Sequence, residues 1–234
     1  MAELISSAEE EHQTRKTRVL LADDHPLLLQ ALRSVLEKED DIEVVAEVND
    51  GEQAVNLAAQ LRPDIVIMDI SMPKLNGLEA TRRIKATHPE IAVLALTIHA
   101  DNEHILSMLQ AGAAGYLTKG VYGQQVVSAV RAVTSGEAVL SPQALREILK
   151  YASQRVVEPQ NLDTGDKLTT REMEILTLVA KGLSNKDIAC RLGLSLRTVK
   201  GYLTDLFLKL NVASRTEAVI VGLQKGILSL DVLE

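Results

Sequence analysis

The sequence predicts an α/β domain, a doubly wound five-stranded parallel sheet of the flavodoxin-like kind, followed by an all-α domain of four helices with a helix-turn-helix. Strand-like and helical runs alternate from residue 18 to residue 136, whereas no strand-like run occurs after residue 166. The 234 residues are more than one small domain needs and allow two separate cores. Two domains of different class are therefore expected.

Five short runs have the composition of strands: RVLLA, IEVVAEV, DIVIMD, IAVLALT and GYLT. The segments IVIM and VLAL are apolar without alternation, as expected for strands that helices cover on both faces. Helical spacing of apolar residues occurs between them, in LLLQALRSVLEK and at 52–61, 78–86, 104–110 and 124–134. In such sheets functional groups lie beyond the carboxyl ends of the strands.

Polar side chains stand at four of these strand ends. Asp23 and Asp24 close TRVLLADD, Asp69 closes PDIVIMD, Thr97 closes IAVLALT and Lys119 closes AAGYLTK. Three carboxylates at one edge raise each other's pKa unless a cation compensates, and Mg²⁺ suits a site with few carboxylates and phosphate oxygens. The pattern predicts that Asp69 receives a phosphoryl group as a nucleophile, while the metal and Lys119 neutralise its oxygens.

Taken singly, each residue has a simpler interpretation. An aspartate at a strand end often caps the next helix, as Asp24 could before HPLLLQ. Thr97 and Tyr116 are residue types that favour strands, and Lys119 alone could be a solvated lysine. The conjunction favours a site, because helix caps need no Lys and Thr on neighbouring strands.

The chain divides into a tail (1–17), the α/β domain (18–136), a linker with a short helix (137–166) and the helical domain (167–234). The short helix is predicted at 141–150, with Ser141 as N-cap and Pro142 at its first position. The polar segment YASQRVVEPQNLDTGDK follows it and carries Pro159 and Gly165, which is typical of a linker.

The helical domain has helix-turn-helix spacing. Thr169 and Glu172 form a capping box for its first helix, and helices at Asn185–Leu192 and Leu196–Leu210 flank a turn at 193–195. Apolar residues of the second of these helices fall on one face, at Val199, Leu203, Leu206, Phe207 and Leu210. Its outward residues are Arg197, Thr198, Lys200, Gly201, Thr204 and Asp205. Such a helix fits the major groove of DNA.

Composition gives weaker signals. Residues 166–234 contain ten Lys/Arg and eight Asp/Glu, which gives a net charge of 10 − 8 = +2, whereas the rest of the chain carries a net charge of 15 − 24 = −9. The mildly basic part permits contact with nucleic acid. The start of the chain lacks the apolar region of a signal peptide, no membrane span is apparent and Cys190 is the only cysteine, so a cytoplasmic location is expected.

Residues 18–136 resemble a response-regulator receiver domain. The resemblance rests on Asp23-Asp24, DISMPKLNGLE from 69 to 79, Thr97, Tyr116 and Lys119. It implies that Asp69 is phosphorylated by a sensor histidine kinase. It also implies Mg²⁺ at Asp24, Asp69 and the Ser71 carbonyl, with Asp23 acting through water. Thr97 and Tyr116 would then form a switch pair, with Tyr116 turning inward on phosphorylation.

Residues 167–230 resemble the LuxR/NarL/FixJ type of DNA-binding domain through LTTREMEIL, GLSNKDIACRLGLSLRTVK, KLNV and SRTEAV. The resemblance implies promoter DNA as a partner, and a homodimer that pairs through the last helix, 215–226. It places Lys200, Gly201 and Thr204 toward the groove. Phosphate contacts would come from Arg197, Thr198, Lys209 and Arg215.

The chain is thus identified as a two-component response regulator of the NarL/FixJ family, with no enzyme activity beyond its own phosphotransfer and autodephosphorylation. Tyr202, Asp205 and Leu208 depart from the family pattern, and Asp205 lowers the expected DNA affinity. The alternative is a phosphorylation-switched protein-interaction module with little or no sequence-specific DNA binding. An aspartyl-phosphate phosphatase is disfavoured, because Ser71 stands where such enzymes carry a second Asp.

Overall fold

The computed structural model describes residues 15–97, 102–120, 123–137, 139–140 and 168–229. The predicted helix at 141–150 lies outside the described residues. Within the described part, no helix has the length and apolar character needed to span a membrane.

The first domain alternates strands and helices as predicted. Its strands are β1 Thr17–Ala22, β2 Ile42–Val48, β3 Ile65–Asp69, β4 Ala92–Thr97, β5 Gly115–Thr118 and β6 Val139–Leu140. Its helices are α1 Pro26–Leu36, α2 Gly51–Leu61, α3 Gly77–Thr87, α4 Asn102–Gln110 and α5 Gln124–Thr134. All strand pairs are parallel, in the order β2-β1-β3-β4-β5-β6.

The alternation of side chains along each strand builds two apolar layers. Leu21 and Ile67 lie in the layer that packs against α1 and α5. Their neighbours Leu20 and Val66 point the other way, into the layer that packs against α2 and α3. Because both faces are covered, the sheet is buried on both sides, as the unbroken apolar runs indicated.

The sheet contains the five predicted strands and one further strand. β6 has only two residues and pairs with β5, with Gly115 opposite Val139. A run of two residues is too short to show a strand period in the sequence. β6 falls in the segment that the sequence analysis assigned to the linker.

The second domain contains α6 Thr170–Ala180, α7 Asn185–Leu192, α8 Leu196–Leu210 and α9 Arg215–Gln224. The predicted capping box forms at the start of α6, where Thr169 and Glu172 bond reciprocally. Gly193 ends α7 in the left-handed conformation, with φ 63°, and Ser195 caps α8 through the amide of Thr198. The four helices enclose a core of their own, which includes Ile175, Ile188, Val199 and Leu206.

Candidate functional site

The predicted polar cluster forms at the carboxyl edge of the sheet. Asp23 follows β1, Asp69 ends β3 and Lys119 follows β5. The Lys119 Nζ lies 2.7 Å from Asp23 Oδ2 and 3.0 Å from Asp69 Oδ2. All three side chains are buried, at 2%, 2% and 6% exposure. Lys119 therefore bridges the two carboxylates from a strand that lies two positions from β3 and three positions from β1.

The electrostatics of Asp69 follow from this burial. Desolvation raises the pKa of Asp69, the hydrogen bond from Lys119 lowers it, and the charge of Asp23 raises it again, with a net upward shift. The amide of Ile70 donates to Asp69 Oδ1 at 2.9 Å, which leaves Oδ2 to Lys119. The carboxylate is thus oriented by two donors and is held in a weakly solvated position.

A metal could be held at this edge. Asp23, Asp24 and Asp69 each offer a carboxylate oxygen, and His25 offers a ring nitrogen, with all four atoms within 4.8 Å of one another. Asp23 Oδ2 and Asp24 Oδ1 are buried oxygens, and their nearest cationic or polar neighbours are Lys119 Nζ and His25 Nδ1, each at 2.7 Å. Oxygen ligands of this kind fit Mg²⁺.

His25 is a member of this cluster that the sequence analysis did not single out. Its amide donates to Asp23 Oδ1 at 2.9 Å, and its Nδ1 lies 2.7 Å from Asp24 Oδ1. The position directly after Asp24 was the only sequence signal for it. The imidazole is 56% exposed and stands at the mouth of the site.

The loop after Asp69 is fixed by contacts that the sequence motif did not reveal. A Cβ at Gly77 would lie 1.9 Å from the Asp69 carbonyl oxygen, so only glycine allows α3 to begin this close to the site. Lys74, at φ 62°, pairs with the buried Asp50 at 2.6 Å. This pair ties the loop to α2, which Asp50 caps. Ser71 lies exposed in the same loop.

Thr97 and Tyr116 occupy the expected strand positions. Thr97 ends β4 and is 5% exposed, and its carbonyl oxygen accepts from the Lys119 amide at 2.5 Å. Tyr116, in β5, is already fully buried, so no inward turn is needed to bury it. It belongs to an apolar cluster that also contains Met108 and, from helix α9, Ile220.

Helix α8 exposes the residues predicted to meet DNA. Arg197, Thr198, Lys200, Gly201 and Thr204 are all exposed. Within the described part of the chain, neither Arg197 nor Lys200 takes part in an ion pair. Asp205 and Leu208 are exposed on the same helix.

Two of the residues predicted to contact phosphate are bound to other groups of the protein. Lys209 pairs with Glu172 at 2.8 Å. Arg215 is only 8% exposed; it donates to the Gly136 carbonyl at 2.7 Å and to Asn185 Oδ1 at 3.2 Å, and also bonds the Leu183 carbonyl. In this conformation Arg215 cannot reach a phosphate, because the packing of the two domains encloses it. Burial lowers its pKa to about 10, so it remains charged at neutral pH.

Arg215 belongs to a larger contact between the domains, which we call the interdomain contact. Thr216 Oγ1 donates to the Ala114 carbonyl at 3.4 Å, and Ile220 is 1% exposed within the Tyr116 cluster. A Cβ at Gly112 would lie 2.9 Å from the Ala213 Cβ. The start of α9 and the turn before it are therefore seated on α4 and β5.

A cavity of about 880 Å³ also separates the domains, with Asn185 and Lys200 on one side and Thr17, Asp64 and Ala92 on the other. Lys200 is exposed at this cavity, so one residue of the exposed face of α8 also faces the first domain.

Comparison with protein-family models gives two matches. Residues 19–131 match the response regulator receiver domain, and residues 166–221 match the bacterial regulatory proteins of the luxR family. Together the two matches describe a regulator and not an enzyme that acts on a separate substrate.

Curated relatives match over nearly the whole chain. The transcriptional regulatory protein DegU of Brevibacillus brevis is 35% identical over 93% of this chain and 97% of its own length. The response regulator protein VraR of Staphylococcus aureus is 36% identical over 90% of this chain and 98% of its own.

Solved structures give the same picture. A LuxR-family two-component response regulator from Aurantimonas sp. is 34% identical with a TM-score of 0.55, covering 59% of this chain and 99% of that one. The RcsB response regulator of Salmonella typhimurium is 26% identical with a TM-score of 0.54, covering 88% and 97%.

Proposed function

This chain belongs to the two-component response regulators that join a receiver domain to a LuxR-type DNA-binding domain, and on that premise we propose that Asp69 is its phosphoacceptor. The observation that supports this proposal most strongly is the buried Asp69 carboxylate, which has Lys119 Nζ 3.0 Å from its Oδ2. A sensor histidine kinase would be the donor. Residues 18–136 would form the unit that receives the signal and residues 167–234 the unit that binds DNA, in the cytoplasm.

The transfer is a displacement at phosphorus. A carboxylate oxygen of Asp69 attacks the phosphorus of a phosphohistidine, the P–N bond breaks, and an acyl phosphate forms while the histidine nitrogen keeps the bonding electrons and takes up a proton. The Lys119 ammonium lies beside the Asp69 carboxylate, so it can neutralise the oxygens of the phosphoryl group that is transferred there. Ile70 holds the other carboxylate oxygen in place.

Mg²⁺ would supply the remaining positive charge for the phosphoryl oxygens. Asp24, Asp69 and the carbonyl of Ser71 would hold it, with Asp23 assisting through water. The convergence of oxygens from Asp23, Asp24 and Asp69 within 4.8 Å of one another supports this assignment. His25 would have to give up its contact with Asp24 when a cation binds there.

The output is proposed to be control of transcription through double-stranded promoter DNA. Helix α8 would enter the major groove with Lys200, Gly201 and Thr204 toward the bases, and with Arg197 and Thr198 near phosphates. Lys209 and Arg215 would join the phosphate contacts only after leaving Glu172 and Gly136.

Activation would be the release of the interdomain contact. Phosphoryl at Asp69 would engage Thr97 and Lys119 and shift the packing around Tyr116, against which Ile220 lies. Release would free α9 for pairing of two protomers, and would open α8 to DNA. The buried Arg215 Nε has no hydrogen-bond partner among the described residues, so the closed arrangement leaves one donor unsatisfied, which favours release.

Intact-mass measurement tests the receiver site. Acetyl phosphate with Mg²⁺ should add the mass of one phosphoryl group to the wild-type protein and none to Asp69→Asn; an unmodified wild type would overturn the proposal. A gel shift of the same samples on genomic fragments, at low and moderate salt, tests the output. Lys200→Ala should weaken binding strongly with the fold intact, and loss of all sequence preference by the wild type would favour the interaction module instead.

A further inference from the structure

A glycine stands at the centre of the exposed face of helix α8. At roughly 100° per residue, Gly201 lies almost opposite the buried side chains of Leu203, Leu206 and Leu210. It is the sixth residue of a helix of fifteen, so it occupies the interior of the helix and not an end. The point of α8 that projects furthest from the domain core thus carries no side chain.

The fold of the domain gives no reason for this glycine. Among the described glycines, all but Gly120 and Gly201 either have a positive φ or have atoms within 4 Å of an added Cβ. Gly201 has neither: its backbone is helical and the space around an added Cβ is open. Glycine is also the least favourable residue after proline in a helix interior, so the domain alone would be more stable with alanine.

The residues around Gly201 leave a shallow surface. The Thr204 hydroxyl donates to the Lys200 carbonyl at 3.0 Å, so it is turned back onto the helix. Arg197 and Lys200 are exposed on one side of the glycine, and Asp205 is exposed on the other. A helix face with bare backbone at its centre and polar side chains beside it can lie close to the edge of a base pair.

We propose that Gly201 sets the depth to which α8 enters the major groove, so that the helix backbone itself lies against a base edge and determines sequence preference. The inference rests on the proposed DNA-binding function. Glycine is the residue that permits close approach of a backbone to a ligand, and a side chain here would hold the whole helix away from the bases. The lost helix stability is offset only in the complex.

Two substitutions separate binding from stability. Gly201→Ala should raise the thermal midpoint, whereas Gly201→Val should leave it near or slightly above the wild-type value, because valine lies between glycine and alanine in helix propensity. Both should weaken specific DNA binding, by about tenfold for alanine and more for valine, on the scale of a lost base contact. Cys190→Ala, an exposed change on α7, is the matched control and should retain wild-type affinity.

The probe is the duplex that the phosphorylated full-length wild type enriches from a pool with 30 random base pairs. Non-specific affinity and its salt dependence should be equal in wild type and variants, because no cation changes. If the wild type prefers a sequence and the two variants bind it equally well, the inference is wrong and the proposed function stands. If the wild type enriches no duplex, both are wrong.

Discussion

The guanidinium of Arg215 donates a 2.7 Å hydrogen bond to the carbonyl oxygen of Gly136, across the boundary between the two domains. A side chain that the family resemblance assigns to a DNA phosphate is therefore held by the receiver domain. Arg215 cannot make both contacts at once. DNA binding through Arg215 and the interdomain contact would therefore be coupled, and each would weaken the other by the same factor.

Ile220 offers a direct test of that opposition. Ile220→Ala removes apolar contact with the Tyr116 cluster and should loosen the interdomain contact. The unphosphorylated protein should then bind specific DNA about tenfold more tightly, as measured by fluorescence anisotropy. Val221→Ala is the control, since Val221 lies one residue further along α9 and packs within the helical domain. If Ile220→Ala and wild type bind DNA with equal affinity, then α9 does not hold the interdomain contact closed.

Gly77 should be indispensable to the phosphoacceptor loop. Gly77→Ala places a methyl group 1.9 Å from the Asp69 carbonyl oxygen, which forces the backbone apart. We expect a loss of about 1–3 kcal/mol of unfolding free energy and slower labelling by acetyl phosphate. Gly120→Ala is a matched change at the same sheet edge, with nothing within 4 Å of the new Cβ, and should change stability by less than about 0.5 kcal/mol. Similar behaviour of the two variants would contradict this assignment.

The Lys74–Asp50 ion pair predicts a specific pH dependence. The hydrogen bond from Lys74 and that from the Gln53 amide lower the pKa of Asp50 from 3.8 to about 2. Because the folded-state pKa is depressed, the stabilisation is present above pH 4 and is lost as the pH falls toward 2.

Lys74→Gln keeps a polar side chain and removes the charge, so the variant should melt at a lower temperature than wild type at pH 5–7. This difference in melting temperature should shrink steadily below pH 4. Lys74→Arg, which keeps the charge, should show a much smaller difference from wild type. Melting curves recorded between pH 2 and pH 7 measure it. A difference that stays constant down to pH 2 would show that the ion pair contributes nothing.

Much of this molecule is readable from its sequence. The five main strands and the helices between them were predicted because buried parallel strands and amphipathic helices leave strong periodic signals. The meeting of Asp23, Asp69 and Lys119 was predicted because parallel strand ends share one edge. Gly193 and the capping box of Thr169 follow from local chemistry that spans only a few residues.

Other features depend on contacts between residues that are distant in the chain. β6 is two residues long, and only its pairing with β5 defines it as a strand. The burial of Arg215 and Ile220 depends on how two independently folded domains meet, and no period or motif encodes that. The role of Gly77 is visible only from its distance to the Asp69 carbonyl oxygen, and the role of His25 only from the direction of its ring.

A disulfide lock tests most directly the claim that phosphorylation of Asp69 acts by releasing the interdomain contact. Gly112→Cys with Ala213→Cys, in a Cys190→Ala background, places two thiols where an added Cβ would approach to 2.9 Å, within reach of a disulfide. Because Gly112 has φ 95°, the substitution strains this turn, and the reduced double variant is therefore the reference for every measurement. The oxidised protein should accept one phosphoryl group by intact mass yet bind no specific DNA, and reduction should restore phosphorylation-dependent binding. Phosphorylated, oxidised protein that binds the selected duplex as tightly as the reduced form would contradict the account.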